Sequence, residues 1–211
     1  MRELPILFNT EMVRAILDDR KTCTRRVIKY DKADDVLNSP ARKENPDIPD
    51  KQFIKCLVKM PYEVGDILYV RETWTDHYVP NEIGKPELQY CYKADGVDIK
   101  AECLPGENNR WYPSIHMPKE AARIWLKVTD VRVERLQDIT EIQAQAEGCN
   151  SGLLTGPCNA RGQFENLWNR TIKKSDIDTY GWKANPWVWV IEFERCEKPG
   201  KENLNETDRC R

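Results

Sequence analysis

"NTEMVRAILDDRKTCTRRV", residues 9–27, decides how the rest of the chain is read. Its first half has a helical period. Met12, Val13, Ile16 and Leu17 recur three and four residues apart, with Arg14, Asp18 and Asp19 on the other side. Asn9 or Thr10 supplies the side-chain oxygen that caps a helix start. The second half sets Arg20, Lys21, Arg25 and Arg26 around Thr22, Cys23 and Thr24. It reads as a phosphate-binding patch, a solvated strand edge, or a reactive centre whose nucleophile is a threonine. On pattern alone the solvated edge is the simplest, because strand residues three apart, such as Lys21 and Thr24, face opposite sides. They converge only if Lys21 sits on the turn between helix and strand.

The composition narrows the partners. A chain of 211 residues suits one domain with insertions, and 40% hydrophobic residues with seven tryptophans furnish a core. The formal net charge of −2 excludes the global basic field of a sequence-independent nucleic-acid binder. Residues 20–32 are the local basic candidate. No apolar run approaches the roughly 18 residues of a membrane span. The apolar part of "MRELPILFNTEM" is too short for a secretory signal, so a cytoplasmic protein is expected, most simply a monomer. Cysteines fall at 23, 56, 91, 103, 149, 158, 196 and 210 without a CxxC, and the only histidines are His77 and His116. That pattern predicts reduced thiols, no metal and no cofactor. Cys149 and Cys158 are the pair close enough in sequence for a regulatory disulfide.

Outward from the opening stretch, "DKADDVLNSPARKENPDIPDKQF" reads as a long loop, because three prolines interrupt dense charge. "GDILYVRETWT" alternates as a strand entered through a Gly-Asp turn. A polar insertion follows over about 76–110, with "YCYKADG" as a short strand and turn. "ARIWLKVTDVRVERL" is strand-like throughout. In "DITEIQAQAEG", Asp138 and Glu141 have capping-box spacing and Gly148 stops the helix. "QFENLWNR" places Phe164, Leu167 and Trp168 on one helical face, and "NPWVWVIEFER" closes the fold as a strand. The polar segment 196–211 reads as a flexible tail. The sum is an α+β domain over residues 1–195, a small mixed sheet or barrel with two or three short peripheral helices and loop insertions near 31–60 and 76–110.

Threonine becomes a nucleophile only when a base accepts its proton or a cation stabilises the alkoxide, and lysine can play either part. A carboxylate beside both relays the proton to a leaving amine. Lys21 with Thr24 therefore needs a third group from elsewhere in the chain.

The run "DDRKTCTRR" after an amphipathic helix, followed by "VGDILYVRE", resembles the ASCH domain, a family with a PUA-like β-barrel fold. Its hallmark G-x-K-x-x-E-x-R, in which some members carry Thr for Glu, is met by Lys21, Thr24 and Arg26. Asp19 stands where the family has Gly. The blocks "PYEVGDILYVRETW", "WYPSIHMPKEAARIWLKVTDVRVERLQDITE" and "YGWKANPWVWVIEFER" resemble the prophage-associated branch. One ASCH branch deacetylates N4-acetylcytidine with a Lys, a Thr and a Glu. The resemblance then implies Lys21, Thr24 and Glu147 as the catalytic set, with Thr24 attacking the acyl carbonyl and Arg26 steadying the oxyanion or the sugar.

Further candidates for substrate contact are Arg25, Arg71, Glu72, Trp74 and His116, with Trp111 and Trp182 as other loop-flanking aromatics. The competing reading is a non-catalytic RNA or modified-base binding module, in which the basic run meets phosphates and the aromatics stack on bases.

Overall fold

The structure, a computed structural model, describes residues 1–99, 110–149 and 159–200. Cys103, Cys158 and Cys210 lie outside the described residues, as does most of the predicted tail. The fold is α+β. Its chain gathers into two compact units, one of Met1–Thr10, Ile67–Lys127 and the chain from Glu194 onward, the other of Glu11–Asp66 and Val128–Phe193.

In the first unit, β1 (Glu3–Leu7) runs parallel to β3 (Ile67–Arg71), matching Glu3 with Ile67 and Leu7 with Arg71. β3 then pairs antiparallel with the start of β6 (Trp125–Arg135), from Ile67↔Lys127 to Tyr69↔Trp125. β4 (Trp74–Pro80) and β5 (Pro86–Tyr92) form a separate hairpin closed by Asn81, whose side-chain oxygen accepts from the backbone N–H groups of Ile83 and Lys85. The predicted insertion therefore begins as an ordered ribbon, longer than the short strand read from "YCYKADG". Its core joins Ile67, Trp74, Met117, Ala121, Ala122 and Trp125.

The second unit holds α1 (Thr10–Leu17), β2 (Cys23–Val27), the rest of β6, and β7 (Trp187–Cys196) up to Phe193. β2 and β7 are antiparallel, with Thr24 opposite Ile191 and Arg25 opposite Val190. Within this unit β7 lies between β6 and β2. The predicted loop over 31–60 is instead three helices, α2 (Tyr30–Leu37), α3 (Pro40–Glu44) and α4 (Asp50–Leu57). The prolines start helices here rather than break them. Pro40 occupies the first turn of α3 behind the Ser39 cap, and Pro49 precedes α4. Burial of Ala33, Phe53, Ile54 and Val58 stabilises the segment.

Next come α5 (Glu141–Ala146), α6 (Ala160–Thr171) and α7 (Ile177–Tyr180). The capping box of α5 is Thr140 with Gln143, not Asp138 with Glu141. Glu141 caps the next helix instead, its carboxylate accepting from the backbone N–H groups of Ala160 and Arg161. Leu136, Ile139, Ala144, Phe164, Trp168 and Trp182 pack with Val188 and Val190 of β7. The helices thus cover the face of β7 that also carries, on β2, the side chains of Cys23 and Arg25.

Candidate functional site

The site starts from the way α1 ends. Asp19 adopts φ +55°, and the N–H groups of Asp19 and Arg20 donate to the carbonyls of Ile16 and Ala15. This is a Schellman ending, which asks for a left-handed residue at the position of Asp19, and aspartate tolerates that region better than most residues. The N–H of Lys21 also donates to the Ala15 carbonyl, at 3.0 Å, which fixes Lys21 on the turn before β2 begins.

Glu147 reaches the same place from the C-terminal end of α5. Lys21 and Glu147 form an isolated antiparallel bridge, and Thr22 N–H donates to the Ala146 carbonyl at 2.8 Å. Lys21 Nζ donates to Glu147 Oε2 at 2.6 Å and to the Glu147 carbonyl at 3.0 Å. Arg25 holds the other carboxylate oxygen, Oε1, at 3.2 Å. The two partners of the Lys21 pair have side-chain exposures of 0% and 2%. Gly148 makes this approach possible. Its φ is +92°, and a Cβ placed there would stand 2.7 Å from Ala15 Cβ.

Arg25 is committed to positioning. Besides Glu147 it donates to Glu134 Oε2 and to Gln143 Oε1, each at 3.2 Å, and its guanidinium lies 5.8 Å from the centre of the Phe164 ring. Its Nε–H is buried without an acceptor among the described residues. Glu134 and Gln143 were not legible as site residues, because only the folded chain brings them to Arg25. Alternation sends Thr24 and Arg26 to the opposite face of β2 from Cys23 and Arg25, and Thr24 is buried there.

Burial depresses the Arg26 guanidinium below its ordinary value, with opposing help from Tyr62 and Glu147. The charge of Glu147 thus bears on the Thr24 side of the strand as well. Tyr62 is a further residue that sequence reasoning passed over, although it stands in the quoted block "PYEVGDILYVRETW"; burial raises its phenol and Arg26 opposes the rise. Cys23 is no nucleophile. Burial first and Glu147 second push its thiol up to about 12. Glu147 lines a cavity of about 480 Å³ with Glu11, Gly148, Cys149, Gln163 and Arg170, a size that suits a nucleoside, whereas Lys21, Thr24 and Arg26 do not line it. Cys149 is buried with its thiol raised to about 11, chiefly by burial.

The remaining candidates belong to the first unit. Glu72 is buried and held on both oxygens by Arg123, at 2.9 and 3.1 Å. Arg71 donates to the Ile115 carbonyl at 3.2 Å. Trp74 is a core residue against Tyr90 and Tyr112. His116 is exposed on a short 3-10 turn, and Trp111 is half-buried. Trp182, of the second unit, lies in the core with Phe164. Among the described residues no cluster of three or more His, Cys, Asp or Glu side chains is arranged to hold a metal. No described helix is long and apolar enough to cross a membrane.

No family model matches the chain, and no curated protein matches it. Among solved structures the fold is similar to an ASCH domain from Lactobacillus crispatus JV V101, at 12% identity and a TM-score of 0.41, over 92% of this chain and 79% of that one.

Proposed function

We propose that the centre built on Lys21 and Glu147 binds a pyrimidine nucleoside and hydrolyses an N-acyl amide on it, of the N4-acetylcytidine kind. The carrying observation is a buried carboxylate held on one oxygen by Lys21 and on the other by Arg25, next to a cavity of nucleoside size. Such a carboxylate is fixed in direction and shielded from water, which suits a proton relay.

In this reading Thr24 Oγ1 attacks the acyl carbonyl carbon while its proton passes to the Lys21–Glu147 pair. Arg26 neutralises the oxyanion. Collapse breaks the C–N bond, and the departing exocyclic amine takes the proton back from the pair. Water then hydrolyses the acyl-threonine ester, releasing the carboxylate and restoring the Thr24 hydroxyl. Arg25, Gln143 and Glu134 hold Glu147 in place. The RNA-binding alternative is weakened by the burial of Lys21 and Arg25, which removes half of the predicted phosphate-facing cations of residues 20–26 from solvent.

The test is release of acetate from N4-acetylcytidine by the purified protein. Turnover lost in both Thr24→Ala and Lys21→Ala supports the assigned roles; turnover surviving in both removes them. A wild-type protein without turnover that binds single-stranded RNA, less tightly in salt and in Arg26→Ala, is a reader instead.

A further inference from the structure

The hairpin of the first unit carries a second reactive arrangement, independent of the centre just described. Cys91 Sγ and His77 Nδ1 stand 3.6 Å apart. Thr75 lies directly opposite Cys91 in the strand pairing, and His77 follows two residues later on β4, so all three side chains share one face of the ribbon. His77 is buried, Thr75 is fully buried and Cys91 is half-buried. Among the described residues the Thr75 hydroxyl has no hydrogen-bond partner. A buried hydroxyl in that state is unfavourable unless something arrives to meet it.

We propose that Cys91 is a site of S-thiolation by small disulfides, with His77 as its general base. With the imidazole proton on Nε2, Nδ1 accepts the thiol proton as Cys91 sulfur attacks one sulfur of the disulfide. The new S–S bond forms as the old one breaks, and the departing thiolate takes the proton from His77. One mixed disulfide and one free thiol result, with no net oxidation. Concerted transfer to His77 lets the thiol react without a thiolate forming beforehand. The Thr75 hydroxyl supplies a donor for negative charge on sulfur. Disulfides suit this site better than acyl electrophiles. The developing charge spreads over three sulfurs in line and needs no set of oxyanion donors. Half-burial of Cys91 limits the reaction to small reagents.

The probe is 2-hydroxyethyl disulfide at pH 7, with the modified cysteines identified by peptide mass mapping. Exposed Cys56 on α4 is the reference within the same molecule. Cys91 is expected to react at least about tenfold faster than Cys56. His77→Asn should remove about tenfold from the Cys91 rate and leave Cys56 unchanged, and Thr75→Val should slow Cys91 by a smaller factor. Loosening of the hairpin would expose the sulfur and speed its reaction, so a slower Cys91 in His77→Asn reports loss of the base rather than loss of structure. A wild-type Cys91 no faster than Cys56, or a rate unchanged or raised in His77→Asn, overturns the proposal.

Discussion

Lys21 and Glu147, 126 residues apart in sequence, are joined twice, by a backbone bridge and by a side-chain ion pair of 2.6 Å. The bridge fixes the two Cα positions, and the pair then needs only two rotamers to be held. Removing one charge leaves the other buried. Glu147→Gln and Lys21→Met are each expected to destabilise the protein by about 3–5 kcal/mol, and the double variant by clearly less than their sum. Urea unfolding of the four proteins measures this. Additive losses would mean the pair contributes no coupling.

Asp19 holds a left-handed conformation that glycine adopts at no steric penalty. Asp19→Gly should raise stability by about 0.5 kcal/mol, and Asp19→Val should lower it by about 1 kcal/mol or more. Thermal unfolding midpoints that move the other way would show that the Asp19 side chain itself supports the turn.

Gly148→Ala adds a methyl group where Ala15 Cβ stands 2.7 Å away, at a φ that strains any L side chain. A loss of about 2 kcal/mol or more is expected. Ala15→Gly in the same chain should recover part of it, despite its own helix penalty of about 1 kcal/mol. No recovery would place the whole effect in the backbone strain.

Cys23 gives a pH signature. Its thiol is raised from an ordinary 9.0 to about 12, so the folded protein keeps a proton that the unfolded chain releases. Its stabilising contribution is therefore intact below about pH 9 and is lost as the pH rises toward 12, with a slope of at most about 1.4 kcal/mol per pH unit. Cys23→Ala should flatten that decline between pH 9 and 11 in denaturant titrations. Wild type and variant falling in parallel would exclude Cys23 as a source. For the same reason iodoacetamide at pH 8 should spare Cys23 while labelling Cys56.

Much of the fold could be read from alternation and helical period. α1, β3, β6, α6 and β7 all fall where those patterns place them, because each buries one continuous face. Of the three helices over 30–57, α3 and α4 were hidden by prolines that punctuate their starts, where proline signals a helix as readily as a loop. For the candidate site, residue type and spacing led to Lys21, and a family resemblance led to Glu147. Arg25 looked like one more member of a basic run. Its role rests on Glu134 and Gln143, residues more than 100 positions away that no local pattern ties to it.

The carboxylate at the centre is also wired outward. Arg25 links Glu147 to Glu134; Glu134 accepts from Arg132 at 2.7 Å; and Arg132 reaches Asp130 and Glu192, whose side chains are 43% and 44% exposed. Charges of alternating sign therefore lead from a dry interior to the solvent. The outer members of that series feel dissolved ions, and the inner ones do not. The contacts of Lys21 and Arg25 with Glu147, at the inner end, are therefore the part of that series which added salt weakens least.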